Sequence, residues 1–277
     1  LINFILSNEY SFFILLMVLT AFPVGFLAGL FGIGGGLITV PFLFFIFDSL
    51  NLNQDYLMHL AVGTSFSIIV PTSIISVLTH KKNGAVDFGV IKNYAIFVII
   101  GVLSGTIFAA ILHTKSLLLF FTTIVYLCGA YLLNIKDKTD NLKVNFNLIP
   151  RIILGFVSGF ISSTMGIGGA IMNVPILKYF GYPINKAIGS AAAIGSIISL
   201  FGALGFLITG SFLKADLPLS VGFINIPAFL IFIPITMFMA RIGANTVHKL
   251  DKSKLQRFFG IFLYVVGTIF LYRYLNI

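Results

Sequence analysis

Charge is what this sequence has least of. Charged residues make up 9% of its 277 positions and hydrophobic residues 58%, with a mean hydropathy of +1.09. Soluble domains carry about a quarter charged residues, so a soluble globular domain is excluded. The only cysteine, Cys128, lies inside an apolar run, so no internal disulfide can form and the redox compartment stays unread. Acids are scarcer than bases. All of Glu9, Asp48, Asp55, Asp87, Asp137, Asp140, Asp216 and Asp251 fall in loops or at the ends of apolar segments, as do His59, His80, His113 and His248. A buried cation needs a partner charge, so the sequence speaks against a cation transporter and against a carboxylate proton relay. No Ser–His pair or pair of acids suggests an intramembrane hydrolase, and no enzyme, metal site or cofactor is expected. Strict alternation of apolar and polar residues is missing too, for example over residues 12–18, which excludes a transmembrane barrel.

What is present is long apolar runs. Ten can be drawn: Ser11–Leu30, Gly36–Phe47, His59–Thr79, Asn93–Leu112, Ser116–Asn134, Ile152–Met165, Ala170–Phe180, Ala187–Thr209, Val221–Ala240 and Phe258–Tyr272. A helix needs about 20 apolar residues to cross a bilayer, and the runs predict an all-α polytopic membrane protein. The first run, with no basic residue before it, reads as a retained segment and not as a cleaved signal. The second and seventh are too short to span, so each extends through its glycine loop or forms half of a re-entrant hairpin. A polar linker, residues 135–150, separates a first repeat, 1–134, from a second, 151–277.

Basic residues set the orientation. The loops after the third, fifth, seventh and ninth runs hold Lys81, Lys82 and Lys92; Lys136, Lys138, Lys143 and Arg151; Lys178 and Lys186; and Arg241, Lys249, Lys252, Lys254 and Arg257. The other side holds Lys115, Lys214 and Arg273. The positive-inside rule makes the first group cytoplasmic and puts both termini outside; the net charge of +9 calls for no nucleic-acid partner. With an odd number of crossings per half, the halves run in opposite directions. Inverted-topology repeats are a mark of secondary transporters.

The halves share a glycine knot. Gly32-Ile33-Gly34-Gly35 recurs as Gly166-Ile167-Gly168-Gly169, and Gly25, Phe26, Val40 and Pro41 also meet identical residues at an offset of 134. In each copy Pro is expected to end the first turns after the knot. At an offset of 126, Ala61, Gly63, Ile68, Ser73, Leu78 and Gly84 meet Ala187, Gly189, Ile194, Ser199, Leu204 and Gly210, and Thr64 meets Ser190. Helix N-termini and runs of glycine amides favour anions. Gly32, Gly34, Gly35, Gly36, Thr39, Thr64, Ser65, Gly166, Gly168, Gly169, Asn173 and Ser190 are therefore the candidate substrate-binding residues, at two half-helix starts that meet near the midplane. Thr64 and Ser190 either line the cavity or bond to a carbonyl one turn back. Gly25/Gly29, Gly101/Gly105 and Gly155/Gly159 have the four-residue spacing of packed membrane helices. Arg241 joins the candidates if the ninth segment starts at Pro227, which would sink it into the membrane; otherwise it marks a cytoplasmic helix end. A nucleotide loop is excluded, because neither knot is followed by Lys-Ser/Thr.

The residues from Gly29 to Gly36 with Val40-Pro41, the stretch Ala61-Val62-Gly63-Thr64-Ser65 and the diverged second copy resemble the TauE/SafE family, also called toluene-sulfonate uptake permeases. That resemblance implies transport of small sulfur-containing anions such as sulfite, sulfonates or sulfoacetate across a bacterial inner membrane. Ala170 and Asn173 depart from the first copy, so it implies a class of anion and no single compound. A passive anion channel and a non-transporting membrane subunit are the rival readings. Direction, coupling ion and homo-oligomerisation stay open.

Overall fold

The computed structural model describes residues 8–31, 35–134, 147–215, 217–246 and 252–276. Ten long helices follow one another among them: α1 (Asn8–Phe31), α2 (Gly36–Ser49), α3 (Leu57–Lys82), α4 (Phe88–Ile111), α5 (Thr114–Asn134), α6 (Leu148–Met165), α7 (Ala170–Tyr179), α8 (Ile184–Phe212), α9 (Ile226–Thr246) and α10 (Lys252–Leu275). Each expected apolar run contains a helix. Among the described residues seven stretches are long and apolar enough to cross a bilayer, and the chain is an all-α polytopic membrane protein. Its outer surface fits lipid: Ile96, Ile100, Leu103, Ile107 and Ile111 form an exposed apolar stripe at helical spacing along α4. Residues 135–146 of the expected linker lie outside the described residues.

At about 1.5 Å per residue, α2 and α7 are roughly 21 Å and 15 Å long, against about 30 Å of hydrocarbon. Contrary to the sequence expectation, proline ends neither. Pro41 and Pro175 lie inside α2 and α7, each at the sixth helical position. A proline removes one backbone donor, which membrane helices tolerate where neighbouring groups satisfy the freed carbonyl.

The ninth segment also starts later than its apolar run. Ser220–Val221 and Ile224–Asn225 pair as a short antiparallel hairpin, with Ser220 opposite Asn225, and α9 begins at Ile226. Gly222, at φ 56°, makes the turn. Its counterpart is Gly84, at φ 65° after α3. The expected match of Gly84 with Gly210 fails, since Gly210 lies within α8. The offset shifts once more, to 138, and this brings Asp87 into line with Asn225 and Gly105 with Gly243.

The principal packings come in exchanged pairs. α1 packs on α9 as α6 packs on α4, α3 on α9 as α8 on α4, and α2 on α3 as α7 on α8, while α3–α8 and α5–α10 pair counterpart with counterpart. Glycine carries the closest approaches. Gly243 lies against the carbonyl of Phe26, and Gly105 lies beneath that of Phe160, the matching residue of the second half. Within the self-matched pairs the helices run antiparallel. Gly63 meets Phe206 while Gly202 meets Phe66; Gly129 meets Tyr264 while Gly267 meets Tyr126.

A duplicated latch also joins the halves. Gly63 has no side chain, so the carbonyl of Phe223 can close on α3, and Thr64 Oγ1 accepts a hydrogen bond from the Asn225 N–H at 2.9 Å. In the exchanged position Gly189 admits the carbonyl of Ala85, and Ser190 Oγ accepts from the Asp87 N–H at 2.9 Å. Asp87 and Asn225 in turn cap the next helix: Asp87 Oδ1 accepts from Gly89 N–H at 2.9 Å, and Asn225 Oδ1 from Ala228 N–H at 3.0 Å. A buried hydrogen bond of this kind contributes about 1 kcal/mol net.

Candidate functional site

Both knots start helices in the same unusual way. Gly35 and Gly169, the residues before α2 and α7, are left-handed, at φ 83° and 74° with ψ −6° in each. Helix-capping residues normally have extended backbone, and a left-handed residue with a side chain is strained by roughly 1–2 kcal/mol. Four residues on, Thr39 Oγ1 donates to the Gly35 carbonyl at 3.0 Å and Asn173 Nδ2 donates to the Gly169 carbonyl at 2.7 Å. The first amides of each helix then have no intrahelical acceptor, and the helix dipole adds positive potential there.

The knots touch. Gly36, the first residue of α2, lies against the carbonyl of Gly166 and Cα of Ile167, where a side chain could not fit. Ser65 on α3 donates to that same Gly166 carbonyl at 3.1 Å. Gly195 on α8 closes on the carbonyl of Gly168. Gly35, Gly36, Thr39, Ser65, Gly166, Gly168, Gly169 and Asn173 are thus brought together, all buried. Gly32 and Gly34 lie outside the described residues. None of the side chains named here is ionisable, so any charge preference comes from backbone dipoles and hydroxyl or amide donors.

Three candidates stand apart. Thr64 and Ser190 make no bond to a carbonyl one turn back; each oxygen accepts from a backbone N–H group of the latch. Arg241 lies within the apolar stretch of α9, as the later helix start requires, but its side chain is exposed on the bundle surface and does not enter the buried knots.

The second knot is the more polar. Gly35 faces Val24 and Ala28 on α1, and at the matching positions of α6 Gly169 faces Ser162, while Ser158 Oγ donates to Asn173 Oδ1 at 2.9 Å. Ser158 was not anticipated from sequence, although the offset of 134 holds the signal: it replaces Val24, just as Ser162 replaces Ala28. Among the described residues no group of three or more His, Cys, Asp or Glu side chains comes together to hold a metal.

Residues 17–270 match the profile of the sulfite exporter TauE/SafE family. The chain belongs to that family. Its relatives include a probable membrane transporter protein of Haemophilus influenzae, 35% identical over 92% of this chain and 97% of the relative. Another, from Methanocaldococcus jannaschii, is 27% identical over 96% of this chain and 99% of the relative, and carries the same description. A third, from Bacillus subtilis, is 25% identical over 94% and 98%. No solved structure matches the chain. This TauE/SafE member is a multi-pass membrane transporter, and its family implies a small-molecule substrate.

Proposed function

We propose that the protein is a secondary transporter of small sulfur-containing oxyanions, with sulfite, sulfonates and sulfoacetate as the substrate class. The observation that carries this is the contact of the buried, glycine-capped start of α2 with the second knot, whose own last glycine caps the buried start of α7, at a place with no ionisable side chain. An anion that sheds its water needs several donors at once, and charge-assisted hydrogen bonds contribute about 1.5–3 kcal/mol each. The family's description as sulfite exporters agrees with it. Residues 1–134 and 151–277 act as inverted repeats that rock about this site to give alternating access. The antiparallel pairing of α3 with α8 and of α5 with α10, together with the exchanged packings, supports that arrangement.

Purified protein in liposomes is expected to take up radiolabelled sulfite with saturable kinetics, in competition with ethanesulfonate, and to ignore methylammonium. Uptake of the cation with sulfite inert overturns the proposal; sulfite flux that never saturates replaces it with a passive channel.

In a bacterial inner membrane, both termini and Lys214 face outward and Lys81 faces the cytoplasm. On a Cys128→Ala background, Lys81→Cys and Lys214→Cys should react with an impermeant maleimide from opposite faces. Reaction of both from one face contradicts the inverted repeat.

A further inference from the structure

We propose that Ser162 is the side-chain donor of the anion site, so that the substrate sits against the second knot while the first contributes backbone alone. This rests on the reading of the knots as an anion site and assigns the side chain that grips the substrate there.

Ser162 is 1% exposed, and its hydroxyl has no hydrogen-bond partner. Serines and threonines inside a helix usually donate to a carbonyl three or four residues back. The neighbours do so: Ser163 and Thr164 both bond to the Phe160 carbonyl, at 3.0 Å and 2.8 Å. Thr20 and Thr39 follow the same habit on α1 and α2. Ser162 does not, and a buried polar group left unpaired is costly enough to call for an explanation.

Its position supplies one. Ser162 Oγ lies 3.3 Å from where a Cβ on Gly169 would stand, beside the first turn of α7. Asn173 turns elsewhere: its oxygen accepts from Ser158 and its amide donates to the Gly169 carbonyl, and neither group pairs with this hydroxyl. The hydroxyl is thus left over at the helix start whose dipole favours an anion. In the first half Ala28 stands at the matching position, against Gly35, and has nothing to donate. An oxyanion oxygen placed at the α7 terminus would accept from backbone amides and from Ser162 together. The two halves then differ in role, with one polar wall and one apolar wall around a single substrate.

The test is Ser162→Ala, with sulfite as the probe, read by both affinity and thermal stability. Without sulfite the variant should be at least as stable as wild type, because an unpaired buried hydroxyl has been removed. With sulfite, KM and the dissociation constant should rise roughly ten- to a hundredfold, as expected for a lost charge-assisted donor, with kcat changed far less. Ser163→Ala, whose hydroxyl is already bonded to Phe160, should leave sulfite affinity at the wild-type value. Unchanged affinity in Ser162→Ala overturns the assignment alone, as does an equal loss in Ser163→Ala. A Ser162→Ala protein that is less stable, or fails to fold, also overturns it, since the hydroxyl is then structural. If the wild type binds neither sulfite, sulfate nor ethanesulfonate, the anion site itself falls, and this assignment with it.

Discussion

Gly243→Val is expected to yield no monodisperse protein, and Gly101→Val to fail in the same way. A Cβ on Gly243 would overlap the carbonyl of Phe26 and come within 2.8 Å of Leu30 N; one on Gly101 would overlap the carbonyl of Phe156 and come within 3.0 Å of Phe160 N. These atoms are helix backbone, which cannot step aside as a flexible side chain can. Extra volume in a packed core costs about 1–3 kcal/mol even where side chains can yield, and a backbone collision between helices costs more. Since total stability is only about 5–15 kcal/mol, the close α1–α9 and α4–α6 contacts cannot survive. Size-exclusion chromatography of membrane extracts checks this. A wild-type yield of either variant would mean that these contacts do not hold the halves together.

Gly35→Ala and Gly169→Ala should behave differently, folding but not transporting. Each residue is left-handed, so alanine adds roughly 1–2 kcal/mol of strain. That amounts to a fall of several degrees in Tm, at roughly 2–4 °C per kcal/mol for a chain of 150–250 residues. Room exists for the methyl group after small shifts. At Gly35 the nearest atoms are side-chain and backbone groups of Ala28 and Val24 at 3.1–3.3 Å; at Gly169 they are the flexible tip of Ile198, then Asn173 Nδ2 at 3.0 Å and Ser162 Oγ at 3.3 Å. The strained methyl turns the knot away from its left-handed form, and with it the amides that the proposed anion site needs aligned. Sulfite uptake into liposomes should fall at least tenfold in each variant, a loss equivalent to about 1.4 kcal/mol of binding. Well-folded Gly169→Ala protein with normal uptake would reduce the knots to packing devices.

The repeated glycines were legible in the sequence because glycine is irreplaceable where φ is positive or backbones meet, so a duplicated need leaves a duplicated letter. Gly35 and Gly169 are such a case. The pairing of Thr64 with Ser190 was visible for the same reason, but its purpose was not. Their partners are the backbone N–H groups of Asn225 and Asp87, and every residue but proline carries such a group. The second shift of offset, to 138, hid that relation further, since Gly84 found a false match in Gly210 before its true one in Gly222. The start of α9 was obscured because Val221 and Ile224 continue the apolar run while belonging to a hairpin. The empty hydroxyl of Ser162 could not be read at all. Sequence shows that a serine is present, and only packing shows that its neighbours are already engaged.

Two knots that make one anion site bind a single substrate ion between them, so the number of sulfite ions bound per protomer distinguishes one shared site from two. Equilibrium dialysis of purified wild-type protein against radiolabelled sulfite should saturate at one ion per protomer, and Gly35→Ala and Gly169→Ala, each altering one knot, should both lose it. Saturation at two ions, with either variant keeping one, would mean that each knot binds on its own and that no shared site exists.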